Sequence, residues 1–171
     1  MTYEIREETP SDPSAIHFVT AAAFRNMPYA DGDEQEVVDR LRSAGALALS
    51  LVATVDQKVI GQISFSPAVS SSPSDAWFAL GPVSVLPELQ HMGIGSALIE
   101  RGLARIREQG AVGCILTGSP TYYRRFGFEP APRNAPDNEP KDFFMVKTFG
   151  SKRPVGQFRF HDAFYGDAHG S

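Results

Sequence analysis

Residues 3–7 alternate apolar and charged side chains, the period-two pattern of a strand. After them the period lengthens. Ile16, Val19, Ala23 and Phe24 share one helical face behind Asp12-Pro13, which reads as a capping residue followed by proline at the first helical position. A second helix is predicted over residues 33–43, with Val37, Val38 and Leu41 facing inward, and residues 26–32 form a polar loop between the two. Residues 47–55 and 59–65 return to a strand pattern, joined as a hairpin through Asp56-Gln57-Lys58, whose turn type the residues leave open. Residues 77–85 are apolar almost throughout, as a central strand would be. Gly81-Pro82 inside that run predicts a bulge or a distorted ladder, since proline has no N–H to donate.

From Gly93 to Gln109, Leu98, Ile99, Gly102, Leu103 and Ile106 line one face, with Glu100, Arg101, Arg105 and Glu108 outside it. Residues 111–117 read as a further strand. Gly118-Ser119-Pro120 opens a short helix that Gly127 closes. The proline-rich residues 129–142 read as extended, and 143–149 and 155–160 as closing strands. No repeat or linker divides the pattern, which gives a single domain over residues 1–165 and a flexible tail at 166–171.

With 171 residues, one such domain buries about two thirds of its unfolded surface. The formal charge of −4 argues against nucleic acid or an anionic membrane as partner and mildly favours a cationic one. A single cysteine, Cys114, excludes an intramolecular disulfide and a cysteine-cluster metal site, and fits a reducing compartment. No signal pattern opens the chain, and no apolar run approaches membrane-spanning length. The reading is a cytoplasmic protein without a metal. Neither Gly-x-Ser-x-Gly nor His-Glu-x-x-His occurs, which removes the hydrolase and zinc-protease classes.

The chemistry concentrates at residues 89–100, LQHMGIGSALIE. Glycines at a helix start leave backbone N–H groups pointing outward, where the positive end of the helix dipole reinforces them. Such a mouth suits a phosphate or pyrophosphate, with Gln90 and Ser96 as further donors. The dinucleotide fingerprint needs a third glycine where Leu98 stands, and the nucleotide P-loop needs a Gly-Lys pair that the chain lacks. A glycine-opened helix that binds nothing stays open on these residues alone.

Residues 80–128 as a whole resemble the GNAT family of N-acetyltransferases. The resemblance is carried by Val83-Ser84-Val85, Pro87, the loop Gln90-His91-Met92-Gly93-Ile94-Gly95, and Tyr122-Tyr123-Arg124-Arg125-Phe126-Gly127-Phe128. Residues 118–128 are most similar to a subgroup of small bacterial predicted acetyltransferases. The resemblance implies an α/β fold: a mixed, mostly antiparallel sheet with helices on both faces and a splayed central strand pair. It implies acetyl-CoA as acetyl donor, its pyrophosphate on the amides of Gln90, His91, Met92, Gly93, Ile94, Gly95 and Ser96. Its pantetheine arm would pair with the backbone of Val83, Ser84 and Val85, opposite a partner strand at 114–117.

By the same resemblance the Val85 amide faces the thioester carbonyl, and Tyr123, five residues before Phe128, protonates the departing thiolate while Tyr122 faces the core. Ser119 stands where relatives carry a cofactor-contacting asparagine, and reads more simply as a helix cap. Arg124 and Arg125 reach CoA phosphates or line a solvated helix face. The base is not visible: residues 77–82 hold no carboxylate, which leaves water or the cluster Asp31, Asp33, Glu34 and Glu36, itself a natural helix N-terminus. Cys114, in a strand, is a poor nucleophile. The function so implied is direct acetyl transfer to a small-molecule amine. A protein lysine or N-terminus as acceptor, and an acyl-CoA-binding module without catalysis, are the alternatives; homodimerisation is left open.

Overall fold

The computed structural model of the chain describes residues 1–28 and 30–166. Beyond Gly166, the expected tail at 166–171 lies outside the described residues. The strands are β1 (Glu4–Glu7), β2 (Leu49–Val55), β3 (Lys58–Pro67), β4 (Trp77–Val85), β5 (Gly113–Thr117), β6 (Glu129–Pro130) and β7 (Phe144–Thr148). They form one sheet in the order β1-β2-β3-β4-β5-β7-β6. Only β4 and β5 run parallel; the other neighbours are antiparallel. The helices are α1 (Pro13–Phe24), α2 (Glu34–Ser43), α3 (Ile94–Glu108) and the single turn α4 (Pro120–Tyr123). None of the described helices is long and apolar enough to cross a membrane.

Strand β3 shows how helices come to cover both faces. Gly61 looks onto Leu98 and Ile94 of α3, and Phe65 lies against Gly102 of the same helix. Gln62, one residue from Gly61, turns to the opposite face. There its amide donates to Ser84 Oγ at 2.8 Å, and Ser84 meets the Thr20 hydroxyl of α1 at 3.1 Å. Ser64 donates to Gln62 Oε1 at 3.0 Å, and Gln62 donates again to the Pro82 carbonyl at 3.1 Å. A connected set of buried polar groups of this kind fixes one arrangement, because breaking any link strands a polar atom away from water. Here it pins β3 to the distorted middle of β4.

That distortion is the bulge expected from Gly81-Pro82. Ile63 pairs with Val83 and Phe65 with Leu80, so Ser64 alone stands opposite two residues, Gly81 and Pro82. In the β2–β3 hairpin, Asp56 and Gln57 both take positive φ, 49° and 69°, the two-residue turn whose twist matches its strands.

Three expectations change. Residues 155–160 do not form a strand. Pro154 offers no N–H and Gly156 bends the chain at φ 70°, so the segment contributes only the Val69–Arg159 bridge, while Phe158 and Phe160 still bury their rings. Residues 129–142 are not extended throughout: β6 is followed by 3-10 turns at Pro132–Asn134 and Lys141–Phe143. Asp12 precedes α1 as expected, yet its carboxylate does not cap the helix. It accepts from the Arg6 guanidinium at 2.7 Å and from the Thr9 amide at 2.7 Å, which ties β1 to the start of α1.

Candidate active site

The parallel pair β4 and β5 stays together only from Trp77↔Gly113 to Ala79↔Ile115. Beyond Ala79, β4 continues through Val83, Ser84 and Val85 in register with Ile63, Gln62 and Gly61 of β3. On its other side no described strand pairs with residues 80–85. Two parallel strands that part this way leave one edge of backbone N–H and C=O groups open to an extended, amide-bearing ligand. Val85 and Ser84 are themselves buried, so backbone and not side chains forms the contact surface.

The chain leaves β4 through a 3-10 turn at Pro87–Leu89 and enters α3 at the glycine loop. Gly93 holds φ 86°, the left-handed conformation that carries no penalty for glycine, and His91 before it takes φ 65°. The Ile94 side chain is buried and anchors the loop to the core, whereas His91 and Met92 face solvent. Within the first turn, Ala97 N–H is the first to find a helical partner, Gly93 O at 3.0 Å. The amides before it point along the axis, and no acidic side chain sits in that turn to occupy them. A Cβ on Gly93 would meet nothing within 4 Å and would project into the approach. Gln90 is used differently: its amide donates to the Val85 carbonyl at 3.0 Å, bracing the loop against the end of β4.

Across the opening, α4 presents its two tyrosines. Ser119 caps this turn, accepting from the Tyr122 amide at 3.3 Å, as its simpler reading had it. The Tyr123 ring packs over Gly118 so closely that a Cβ there has no room. Burial, then the neighbouring Tyr122 and Cys114, push its hydroxyl pKa well above the ordinary range, so it carries its proton at neutral pH. Tyr122 packs its ring against the main core, as expected, and carries its hydroxyl to the start of α3. That oxygen stands 3.7 Å from where a Cβ on Gly95 would lie, beside the glycine loop. The Arg125 guanidinium lies over the Tyr122 ring, 4.7 Å from its centre, which places a cation near the same loop. Cys114 is fully buried and its thiol pKa is raised by that burial, which makes it unfit as a nucleophile.

On the opposite face of the sheet, sequence reasoning missed a third group. Thr117, at the end of β5, donates its hydroxyl to Glu139 Oε1 at 2.8 Å. Tyr165 donates to Glu139 Oε2, also at 2.8 Å. The adjacent Phe164 ring reaches to 4.0 Å from a Cβ built on Gly81 of β4. Arg40 of α2 holds this segment in place, donating to the carbonyls of Ala163 at 2.7 Å and Phe164 at 3.3 Å. No signal in the proline-rich stretch around Glu139 marks it. In the acidic cluster, Glu34 accepts from the amides of Asp31 and Gly32, and Asp33 pairs with Arg40 of α2 at 3.1 Å.

An amide mouth suited to a pyrophosphate, set beside an open strand edge, agrees with what comparison with known proteins finds. A sequence model described as "Acetyltransferase (GNAT) domain" matches residues 47–130. The uncharacterized N-acetyltransferase YhbS of Escherichia coli K12 is 34% identical over 128 residues, 74% of each chain. A GNAT family acetyltransferase from Brucella melitensis, solved in complex with acetyl-CoA, superposes with a TM-score of 0.85 at 46% identity, covering 95% of this chain and 98% of that one. The E. coli YhbS structure, in complex with CoA, superposes with a TM-score of 0.83 at 27% identity, covering 95% and 91%. Likeness of this extent reaches from the glycine loop through both flanks of the sheet, and the chain belongs to the GNAT family of acetyltransferases.

Proposed function

We propose that the protein transfers an acetyl group from acetyl-CoA directly to the primary amine of a small molecule. The observation that carries this reading is the open edge of residues 80–85 beside the unpaired amides at the start of α3. Both features fit the donor: a pyrophosphate at the glycine loop, and a pantetheine arm whose two amides continue the ladder from Val83 to Val85. Acetyl-CoA brings an activated carbonyl on a thiol leaving group; the protein's share is placement and proton control. The Val85 amide polarises the carbonyl oxygen as it gains charge. Tyr123, holding its proton, supplies it to the thiolate. Tyr122 and Arg125 flank the loop on the phosphate side. The chain's net charge of −4 and its single domain favour a small amine over a folded protein as acceptor. A cytoplasmic setting fits both the donor and the single buried cysteine.

Calorimetric titration of acetyl-CoA into wild type and into a Gly93→Trp, Gly95→Trp variant tests the cradle, with circular dichroism reporting the fold. Binding to wild type that disappears in the folded variant is the expected result. A wild type that binds no acetyl-CoA overturns the reading.

A further inference from the structure

We propose that Glu139 receives the ammonium group of the acceptor and takes its first proton, a role that deepens the acetyl-transfer reading and rests on it. The argument begins at the fork. The last β4–β5 pair is Ala79↔Ile115, and Thr117 lies two residues further, about 6.6 Å along the strand. Side chains alternate along β5. Cys114 and Leu116 pack with Phe126, Phe128 and α3, whereas Ile115 packs with Trp77, Ala79 and Phe158 on the other face. Thr117 shares the Ile115 face, and its hydroxyl bonds Glu139 there. Phe164, neighbour of the second donor Tyr165, lies against Gly81, where β4 has already left β5. The carboxylate therefore stands at the mouth of the fork, between a residue of one lip and a segment packed on the other. It lies on the face opposite the glycine loop and Tyr123.

Two features suit this group to an ammonium. Both of its oxygens accept from hydroxyls, Thr117 at 2.8 Å and Tyr165 at 2.8 Å, which fixes the carboxylate while leaving lone pairs on each oxygen. Among the described residues no arginine or lysine forms an ion pair with it. A cation delivered to the fork would find an oriented, uncompensated negative charge.

The proton accounting closes. A Glu139 oxygen takes one proton from the ammonium, and the electron pair of that N–H bond stays on nitrogen. The pair forms the new bond to the carbonyl carbon, the carbon–sulfur bond breaks with its pair on sulfur, and the second nitrogen proton ends on the thiol through Tyr123. Glu139 then returns its proton to water.

The test uses two non-reactive thioethers of CoA, S-(2-aminoethyl)-CoA and its neutral counterpart S-propyl-CoA, titrated calorimetrically into wild type, Glu139→Gln and Tyr165→Phe. Wild type is expected to prefer the aminoethyl compound by about tenfold, as one charge-assisted contact gives. In Glu139→Gln the ratio of the two affinities falls to near one. Tyr165→Phe, which loosens the tie but keeps the carboxylate, retains the preference. Equal binding of the two compounds by wild type, or a preference that survives in Glu139→Gln, overturns the proposal whether or not any variant is impaired in folding. If neither compound binds wild type, the donor site itself is refuted, an outcome separable from failure at Glu139 alone.

Discussion

Tyr122 and Tyr123 are adjacent, yet the single turn of α4 sends them to different surroundings. Tyr123 is enclosed over Gly118, and its raised pKa keeps the hydroxyl a proton carrier. Tyr122 places its hydroxyl beside Gly95, and its ring lies under the Arg125 guanidinium. Their phenylalanine variants should therefore separate. Tyr123→Phe is expected to lower kcat by about a hundredfold with acetyl-CoA affinity retained, the usual loss when a positioned acid is removed. Tyr122→Phe is expected to weaken acetyl-CoA binding with kcat nearly intact. Steady-state kinetics alongside calorimetry distinguishes the two, and the reverse pattern would assign the acid to Tyr122. In the sequence, Tyr123 is singled out only by the family resemblance, through its place five residues before Phe128. The direction of the Tyr122 hydroxyl was not legible, because it depends on how close α4 comes to α3, and no local pattern encodes that distance.

Helix α3 fixes the cradle to the sheet, and its closest approach is at Gly102. A Cβ there would run into the Phe65 ring of β3, so the helix sits as near the sheet as an absent side chain permits. Gly102→Ala is expected to lower stability by about 1–2 kcal/mol. Overpacking costs about 1–3 kcal/mol, and the better helix propensity of alanine, about 1 kcal/mol, offsets only part of it. Thermal melting checks this, and an unchanged or higher Tm would mean that Phe65 turns aside freely. The apolar stripe of α3 was readable because the helix buries one face with its own period, and the continuous run of β4 because a central strand is covered on both faces. Residues 155–160 misled for a related reason. Phe158 and Phe160 alternate like strand residues, but what they bury is a pair of rings above the sheet, and Pro154 and Gly156 deny the backbone a ladder. The buried polar face of β3, Gln62 with Ser64, was also hidden, since its partners Thr20, Pro82 and Ser84 are distant in sequence. The placement of Glu139 was illegible on the same ground, since the hydroxyls that hold it belong to Thr117 and Tyr165, both distant in sequence.

Across the whole molecule, the edge strand β1 is held to the helices by charge. Arg42 of α2 pairs with Glu8 at 2.8 Å, and Arg6 grips the buried Asp12 at 2.7 Å. Hydrogen bonding to Arg6, against the cost of burial and helped by the Thr9 amide, holds the Asp12 carboxyl at about 2, below its ordinary value of 3.8. Because the folded pKa is the lower one, this tie is fully present above about pH 4 and is lost as pH falls from there through about 2. Asp12→Asn is expected to cost roughly 1–2 kcal/mol at neutral pH, with the gap in Tm from wild type closing as the pH approaches 2. A gap that stays constant with pH would show that packing, not ionisation, carries the tie. The order in which the chain supplies its parts matters as well. Residues 77–127 hold everything assigned to the donor, whereas Glu139 and the Phe164–Tyr165 segment clasped by Arg40 follow later in the chain. A chain cut after residue 127 would lose Glu139 and, with it, β7, the antiparallel partner that β5 needs on the side away from β4, so the later residues complete the sheet as well as the proposed amine side.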